Sequence, residues 1–218
     1  MSSAEILHKF IEGMKSTSLL EYIAVFTGIA SVWYSRKENI LVYPVGLVNT
    51  VIYTFLSAQQ HLFGEASVNF YYTVMSIYGW ILWSKKDEHQ HHVVVITISN
   101  TKEWIQQLLF FTVFYVAIFY ALSYIKNLFA PGAIPWADAF ASASAYTGMW
   151  LMAKKKVESW IWWIVTEVAS IPLYFVKGFV FTSVFYFILL IMAIAGLMEW
   201  QRRAKEYKKQ KAELVGTA

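Results

Sequence analysis

Seven apolar runs divide this chain, and each is close to the length of a helix that crosses a membrane: Leu19–Ser35, Ile40–Ser57, Ala66–Ser84, Trp104–Ile125, Ala137–Ala153, Trp160–Val176 and Val180–Trp200. A spanning helix needs about 20 apolar residues for a hydrocarbon core about 30 Å thick. In lipid every backbone amide must be bonded within the protein, so runs of this length fold as helices. Hydrophobic residues make up 58% of the 218 and charged residues 15%, against roughly 25% charged in soluble domains. Mean hydropathy is +0.46. The expected fold class is an all-α membrane protein with seven transmembrane helices in one domain, residues 19–201. A short segment, 1–18, precedes it and a basic tail, 202–218, follows.

In the leading segment Ile6, Phe10 and Met14, with Leu7 and Ile11, form one apolar stripe at helical spacing. It lacks the basic start and continuous apolar core of a cleaved leader and is expected to lie as an interfacial helix on the outer surface. Small residues crowd the first run (Gly28, Ala30, Ser31) and the fifth (Ala141 to Ala145, Gly148). Small residues let backbones approach, so both helices are expected to be interior. Pro44 and Pro172 are expected to interrupt their helices. Lys177-Gly178 is expected to end the sixth, with the lysine reaching to the interface.

The basic residues set the orientation. With seven spans, fourteen of the 18 Lys and Arg residues fall on the side of the C-terminus, and only Lys9, Lys15, Lys126 and Lys177 on the other. The positive-inside rule then places the N-terminus outside and the C-terminus in the cytoplasm. The net charge of +4 follows from this bias and implies a lipid bilayer, not nucleic acid, as the partner. The tail Gln201–Lys211 reads as solvated, near anionic headgroups. There is no Cys, hence no disulfide, thiol nucleophile or cysteine metal site. His89, His91 and His92, with Asp87 and Glu88, share one loop; with no second ligand cluster it reads as a solvated loop, and no metal or cofactor is expected. No phosphate-binding glycine loop, zinc helix motif or nucleophile elbow occurs.

The three runs before the middle one resemble the three after it. A basic connection follows the first run of each block, Arg36-Lys-Glu-Asn39 and Lys154-Lys-Lys-Val-Glu-Ser159. Glu38 aligns with Glu158 and Tyr43 with Trp163 at an offset of 120; farther on, an offset of 117 pairs Ala66 with Ser183, Gly79 with Gly196 and Trp83 with Trp200. The blocks 19–84 and 137–200, joined by a linker helix at 104–125, make a 3+1+3 parallel repeat. Such repeats hold their substrate near mid-membrane between the halves.

That depth is where the sixth run places a carboxylate. In Trp160-Ile-Trp-Trp163-Ile-Val-Thr-Glu167 the residues Trp160, Trp163 and Glu167 share a helix face. Glu167 stands about eight residues from the helix start, roughly 12 Å at 1.5 Å per residue. A carboxylate at that depth faces a cavity or a partner, and indoles beside it can stack on a flat aromatic cation. Asn69, Tyr72 and Ser76 share a face of the third helix; Asn49 and Tyr53 lie one turn apart on the second. Each asparagine either bonds a ligand or ties helices together. Trp80 and Trp83, next to Lys85 and Lys86, read as interface-belt residues.

These residues resemble the PnuC family of bacterial vitamin transporters over about residues 20–200. The stretch from Glu158 to Glu167 is similar to the family's Glu-Asn-Trp-x-x-Trp-x-x-x-Asn/Asp, and Asn69-x-x-Tyr72 leading to Tyr78-Gly79-Trp80 and the turn Arg36-Lys37-Glu38-Asn39 add to the likeness. The resemblance implies a seven-helix fold similar to SWEET sugar transporters, often a homotrimer. It implies uptake of nicotinamide riboside by facilitated diffusion, with trapping by a cytoplasmic kinase. It also implies that Trp160, Trp163, Glu167 and Asn69, with Tyr72 and Asn49, line the site. Ser159 stands where the family has Asn, and Glu167 where it has Asn or Asp. Relatives carry thiamine, riboflavin or deoxynucleosides; Glu167 suits nicotinamide riboside or thiamine, both aromatic cations. Two other classes are a seven-helix receptor and a membrane enzyme. A retinal receptor needs a lysine in its last helix, and Val180–Trp200 has none. An enzyme needs convergent acids and bases, and none cluster around Glu167.

Overall fold

The computed structural model describes residues 3–59, 63–87, 92–129 and 132–216. They form eight helices: α1 Ser3–Ser16, α2 Leu19–Arg36, α3 Val42–Gln59, α4 Phe63–Ser84, α5 Thr101–Phe129, α6 Pro135–Ala153, α7 Glu158–Val176 and α8 Val180–Gly216. Local chemistry sets the ends. Ser18 and Glu21 form a reciprocal capping box at the start of α2, and Asn100 and Glu103 exchange the same pair of bonds at α5. At the end of α7, Gly178 takes a φ of 86°, the left-handed turn that a glycine enters without strain. Lys177 ends this helix as expected, and its ammonium pairs with Asp138 in the first turn of α6 at 2.6 Å.

The helices pack as a closed ring in the order α2, α3, α4, α6, α7, α8, with α8 returning to α2; α5 lies outside on α6, and α1 on α8. Three helices are long and apolar enough to cross a membrane by length and composition: Thr101–Lys126, Glu158–Val176 and Val180–Gln210. The others carry inward polar residues such as Thr50, Ser76, Ser144 and Thr147, which lower their apolar content. Of the two helices expected inside, α6 is interior, with Ala139, Ala143, Ser144 and Thr147 completely covered. Helix α2 is not: only Ala24 and Ser35 are buried, and Leu19, Phe26 and Trp33 face outward. Helix α1 forms, and Phe10 meets Phe181 of α8 at 5.6 Å while Leu7, Ile11 and Met14 stay exposed. Pro44 sits in the first turn of α3, where no intrahelical amide bond is lost; Pro172 lies inside α7. The basic tail is no separate segment. Helix α8 runs on to Gly216, carried by Glu199–Arg202, Glu199–Arg203 and Arg202–Glu206 pairs at helical spacing.

The halves are related by one offset, 117, where the sequence suggested two. Residues at that spacing meet each other directly: Lys155 pairs with Glu38 at 2.7 Å, and the Ser35 hydroxyl approaches the Met152 sulfur at 2.9 Å. Glu38 and Lys155 are also the two non-glycine residues with positive φ among those described, 57° and 51°. Glu38 therefore corresponds to Lys155, and Tyr43 to Trp160. Tyr43 lies against Gly79, and Trp160 lies against Gly196 in the same way. Glu158 plays a different part and accepts from the amide and hydroxyl of Ser99 at 2.9 and 2.6 Å, docking the segment before α5. Trp83 is no interface residue. It is 2% exposed, packs on Tyr43 and Trp200, and donates its indole N–H to the Ala153 carbonyl at 3.2 Å. Trp80 is exposed.

The close approach of α7 and α8 depends on Gly196, where a Cβ would come within 2.5 Å of the Trp160 ring. Gly196→Ala should cost about 1–3 kcal/mol, the usual range for overpacking, and lower the thermal midpoint in detergent. Gly132, with nothing within 4 Å of its Cβ position, gives the control. A shift no larger than that of Gly132→Ala would contradict this packing.

Candidate functional site

Helix α7 carries Glu167 on a face covered by α4, α6 and α8. The residue is 4% exposed, and its Oε2 has no hydrogen-bond partner. Burying a carboxylate without a partner is costly, so this atom marks a place for a positive or hydrogen-donating group. One turn before it, Trp163 packs on Gly148 of α6, where a Cβ would lie 3.3 Å from the indole. The same ring lies 6.0 Å from Tyr72 of α4. Tyr72 meets Tyr146 of α6 edge-on at 6.4 Å, and Tyr71 stacks on Tyr146 at 4.1 Å while donating its hydroxyl to the Tyr146 carbonyl at 3.1 Å. Tyr72 and Tyr186 of α8 both lie within electrostatic reach of Glu167. Tyr186 in turn stacks on Tyr174 at 5.0 Å. An aromatic cluster drawn from α4, α6, α7 and α8 thus lies near this carboxylate.

Of the residues singled out in the sequence, Trp163, Glu167 and Tyr72 come together. Trp160 is placed two turns from Glu167, about 10 Å along the helix axis. It is 1% exposed, edge-on to Trp200 at 5.7 Å, in the layer formed with Tyr43 and Trp83. Asn49 donates to the Ala24 carbonyl at 2.6 Å, tying α3 to α2 beside Gly28. Asn69 is half-buried and donates to the Glu65 carbonyl of its own helix at 3.0 Å. Ser76 is buried. Among the described residues no group of three His, Asp or Glu could hold a metal ion; His89, His91 and Glu88 lie outside the described residues. Sequence reasoning missed Tyr146 and Tyr186. Tyr146 is the large residue within the small-residue run of α6, and Tyr186 stands 117 residues after Asn69, so the repeat at a single offset would have pointed to it.

The bundle thus buries the Glu167 carboxylate among aromatic rings drawn from α4, α6, α7 and α8. The model of the family described as nicotinamide mononucleotide transporter matches residues 18–202, and the chain belongs to that family. It is 23% identical over 209 residues to the nicotinamide riboside transporter PnuC of Escherichia coli strain K12, covering 87% of each chain. It is 25% identical to the PnuC of Neisseria mucosa, over 88% of this chain and 76% of that one. It is 22% identical to the riboflavin/roseoflavin transporter RibM of Streptomyces davaonensis, over 82% of each. The crystal structure of the vitamin B3 transporter PnuC superposes with a TM-score of 0.69 at 21% identity, covering 94% of each chain, and shows the shared fold. The chain is a multi-pass bacterial membrane transporter of the vitamin-carrying PnuC family and not an enzyme.

The site makes separable demands on its residues. Charge pairing and cation–π contact in a shielded site are each worth on the order of 1–2 kcal/mol, and about 1.4 kcal/mol is tenfold in affinity. Glu167→Gln and Trp163→Ala should therefore each raise the Kd for an aromatic cation about tenfold; Glu167→Gln should leave the thermal midpoint little changed, and Trp163→Ala, which also removes the packing on Gly148, should lower it less than Trp160→Ala. Trp160→Ala should instead cost about 3–5 kcal/mol of stability through the cavity it leaves. Titration calorimetry beside melting curves checks all three. Unchanged affinity with a lowered midpoint in Glu167→Gln would make that carboxylate a packing element.

Proposed function

We propose that this transporter takes up nicotinamide riboside across the bacterial inner membrane by facilitated diffusion, and that phosphorylation by a cytoplasmic kinase then traps the product. The observation that carries the reading is the buried Glu167 carboxylate, its Oε2 unbonded, beside Trp163 and Tyr72. A pyridinium ring stacked there has its charge balanced by the carboxylate. Thiamine is the second reading, because it is also an aromatic cation; the same carboxylate favours it over a neutral flavin. Supporting relatives include proteins named as nicotinamide riboside transporters and one named as a riboflavin/roseoflavin transporter.

Helices α2 to α8 are taken as the seven spans, in a SWEET-like 3+1+3 parallel repeat with α5 as the linker. The ring order and the constant offset support this. The basic bias puts the C-terminus in the cytoplasm and α1 on the outer face. The homotrimer rests on resemblance alone. No run of intramembrane acids or paired histidines supplies a proton route among the described residues, and no unwound stretch inside a helix supplies a sodium site. A uniporter follows. In sealed vesicles, radiolabelled nicotinamide riboside should enter until inside and outside concentrations match and then stop. Accumulation above the outside level on imposing a proton or sodium gradient would overturn the uniport reading.

A further inference from the structure

Four buried side-chain atoms lack hydrogen-bond partners among the described residues: the Tyr43 hydroxyl, Trp160 Nε1, Ser144 Oγ and Glu167 Oε2. The first two are pressed onto Gly79 and Gly196 in the aromatic layer. The last two belong together. Ser144 is 0% exposed, and the packing of α6 on α7 fixes where it points. At Gly148 a Cβ would lie 3.4 Å from the Ser159 carbonyl oxygen and 3.3 Å from the Trp163 indole. Residue 159 is therefore opposite residue 148, and the side chain of residue 163 reaches back over it, as helical side chains lean toward the N-terminus. The helices run antiparallel, so one turn farther Ser144 replaces Gly148, the backbone of residue 163 replaces that of 159, and Glu167 reaches back as Trp163 did. By this register the hydroxyl and the carboxylate are directed toward one spot, and Ser144 Oγ and Glu167 Oε2 are each without a partner among the described residues.

We propose that Ser144 is a specificity residue which, together with Glu167, reads an amide-type edge of the substrate: an N–H donated to Glu167 and a neighbouring acceptor that receives the Ser144 hydroxyl proton. The proposal rests on the transport reading above and narrows its substrate class to aromatic cations that carry adjoining donor and acceptor atoms. The carboxamide of nicotinamide riboside and the aminopyrimidine edge of thiamine both have this pattern. A carboxylate in place of the carboxamide presents only acceptors to Glu167 and is repelled. A site built to bond a polar group rejects the analogue that lacks it, because its own buried groups stay unpaired.

The test compares wild type with Ser144→Ala, a change that removes one oxygen and keeps helix propensity. The probes are nicotinamide riboside, thiamine and the ribosylpyridinium cation without its carboxamide, with Kd from calorimetry on the full chain in detergent. Ser144→Ala should weaken binding of a ligand that carries the edge by about three- to tenfold, the scale of one hydrogen bond. Ribosylpyridinium should bind wild type more weakly and be unaffected by the variant. Which edge-bearing ligand loses affinity identifies the source of the edge. Equal losses for nicotinamide riboside and ribosylpyridinium, or no loss for any ligand, would overturn the role of Ser144 while leaving transport intact. Failure of wild type to bind any of the three would overturn the proposed aromatic-cation substrate itself.

Discussion

The two halves are held by an exchange of hydrogen bonds between tryptophans and helix ends. Trp83, at the end of α4, donates to the Ala153 carbonyl, and Trp200, in α8, donates to the Ser35 carbonyl. Carbonyls in the last turn of a helix have no amide four residues on to bond them, and water is scarce inside a bundle in lipid. At Ala153 the other half supplies the donor that the helix end lacks; the Ser35 carbonyl also accepts from the Glu38 amide at 2.9 Å, and Trp200 adds a second bond. Glu38 and Lys155 add a charged pair at the same junction, with the ammonium lying 4.6 Å over the Trp83 ring and Arg203 reaching the other Glu38 oxygen. Breaking a pair buried to this degree leaves an uncompensated charge, so the junction closes as a unit.

From that junction the rest of the architecture follows. Tyr43 and Trp160 can press against α4 and α8 because Gly79 and Gly196 leave the space. The resulting aromatic layer closes the basic end of the bundle. Above it the small residues of α6 bring α7 close, and Gly148 admits the Trp163 indole. The site thus has a firm floor and a tightly packed wall. Tyr71 is tied to Tyr146 by a hydrogen bond and Tyr174 to Tyr186, while Glu167 Oε2 bonds to none of the described residues.

Much of this was legible in the sequence because hydropathy and charge in a membrane chain follow from the solvent. The apolar runs located the helices, and the cost of a buried carboxylate singled out Glu167. What the sequence obscured was register. Glu38 and Glu158 share a residue type, and that likeness concealed the true partner, Lys155, whose opposite charge is what lets equivalent residues meet at the junction. Trp83 beside Lys85 has the composition of an interface belt, and only tertiary packing reveals that its N–H caps a distant helix. Trp160, Trp163 and Glu167 do share a helix face, but a face extends over several turns, and periodicity does not show which turn meets Gly196 and which meets Tyr72. The amides of Asn49 and Asn69 fit either a ligand or a helix tie by chemistry; Asn49 bonds across to α2 because Gly28 lets it approach.

On the proposed reading an aromatic cation is held between the halves by the Glu167 carboxylate and the Trp163 ring. A structure determined with nicotinamide riboside bound tests it most directly. The expected result is the pyridinium ring stacked on Trp163 beside Tyr72, with the Glu167 carboxylate bonded to the ligand. A ligand seated elsewhere in the bundle, with Glu167 Oε2 still unbonded and Trp163 still packed on Gly148 alone, would contradict it.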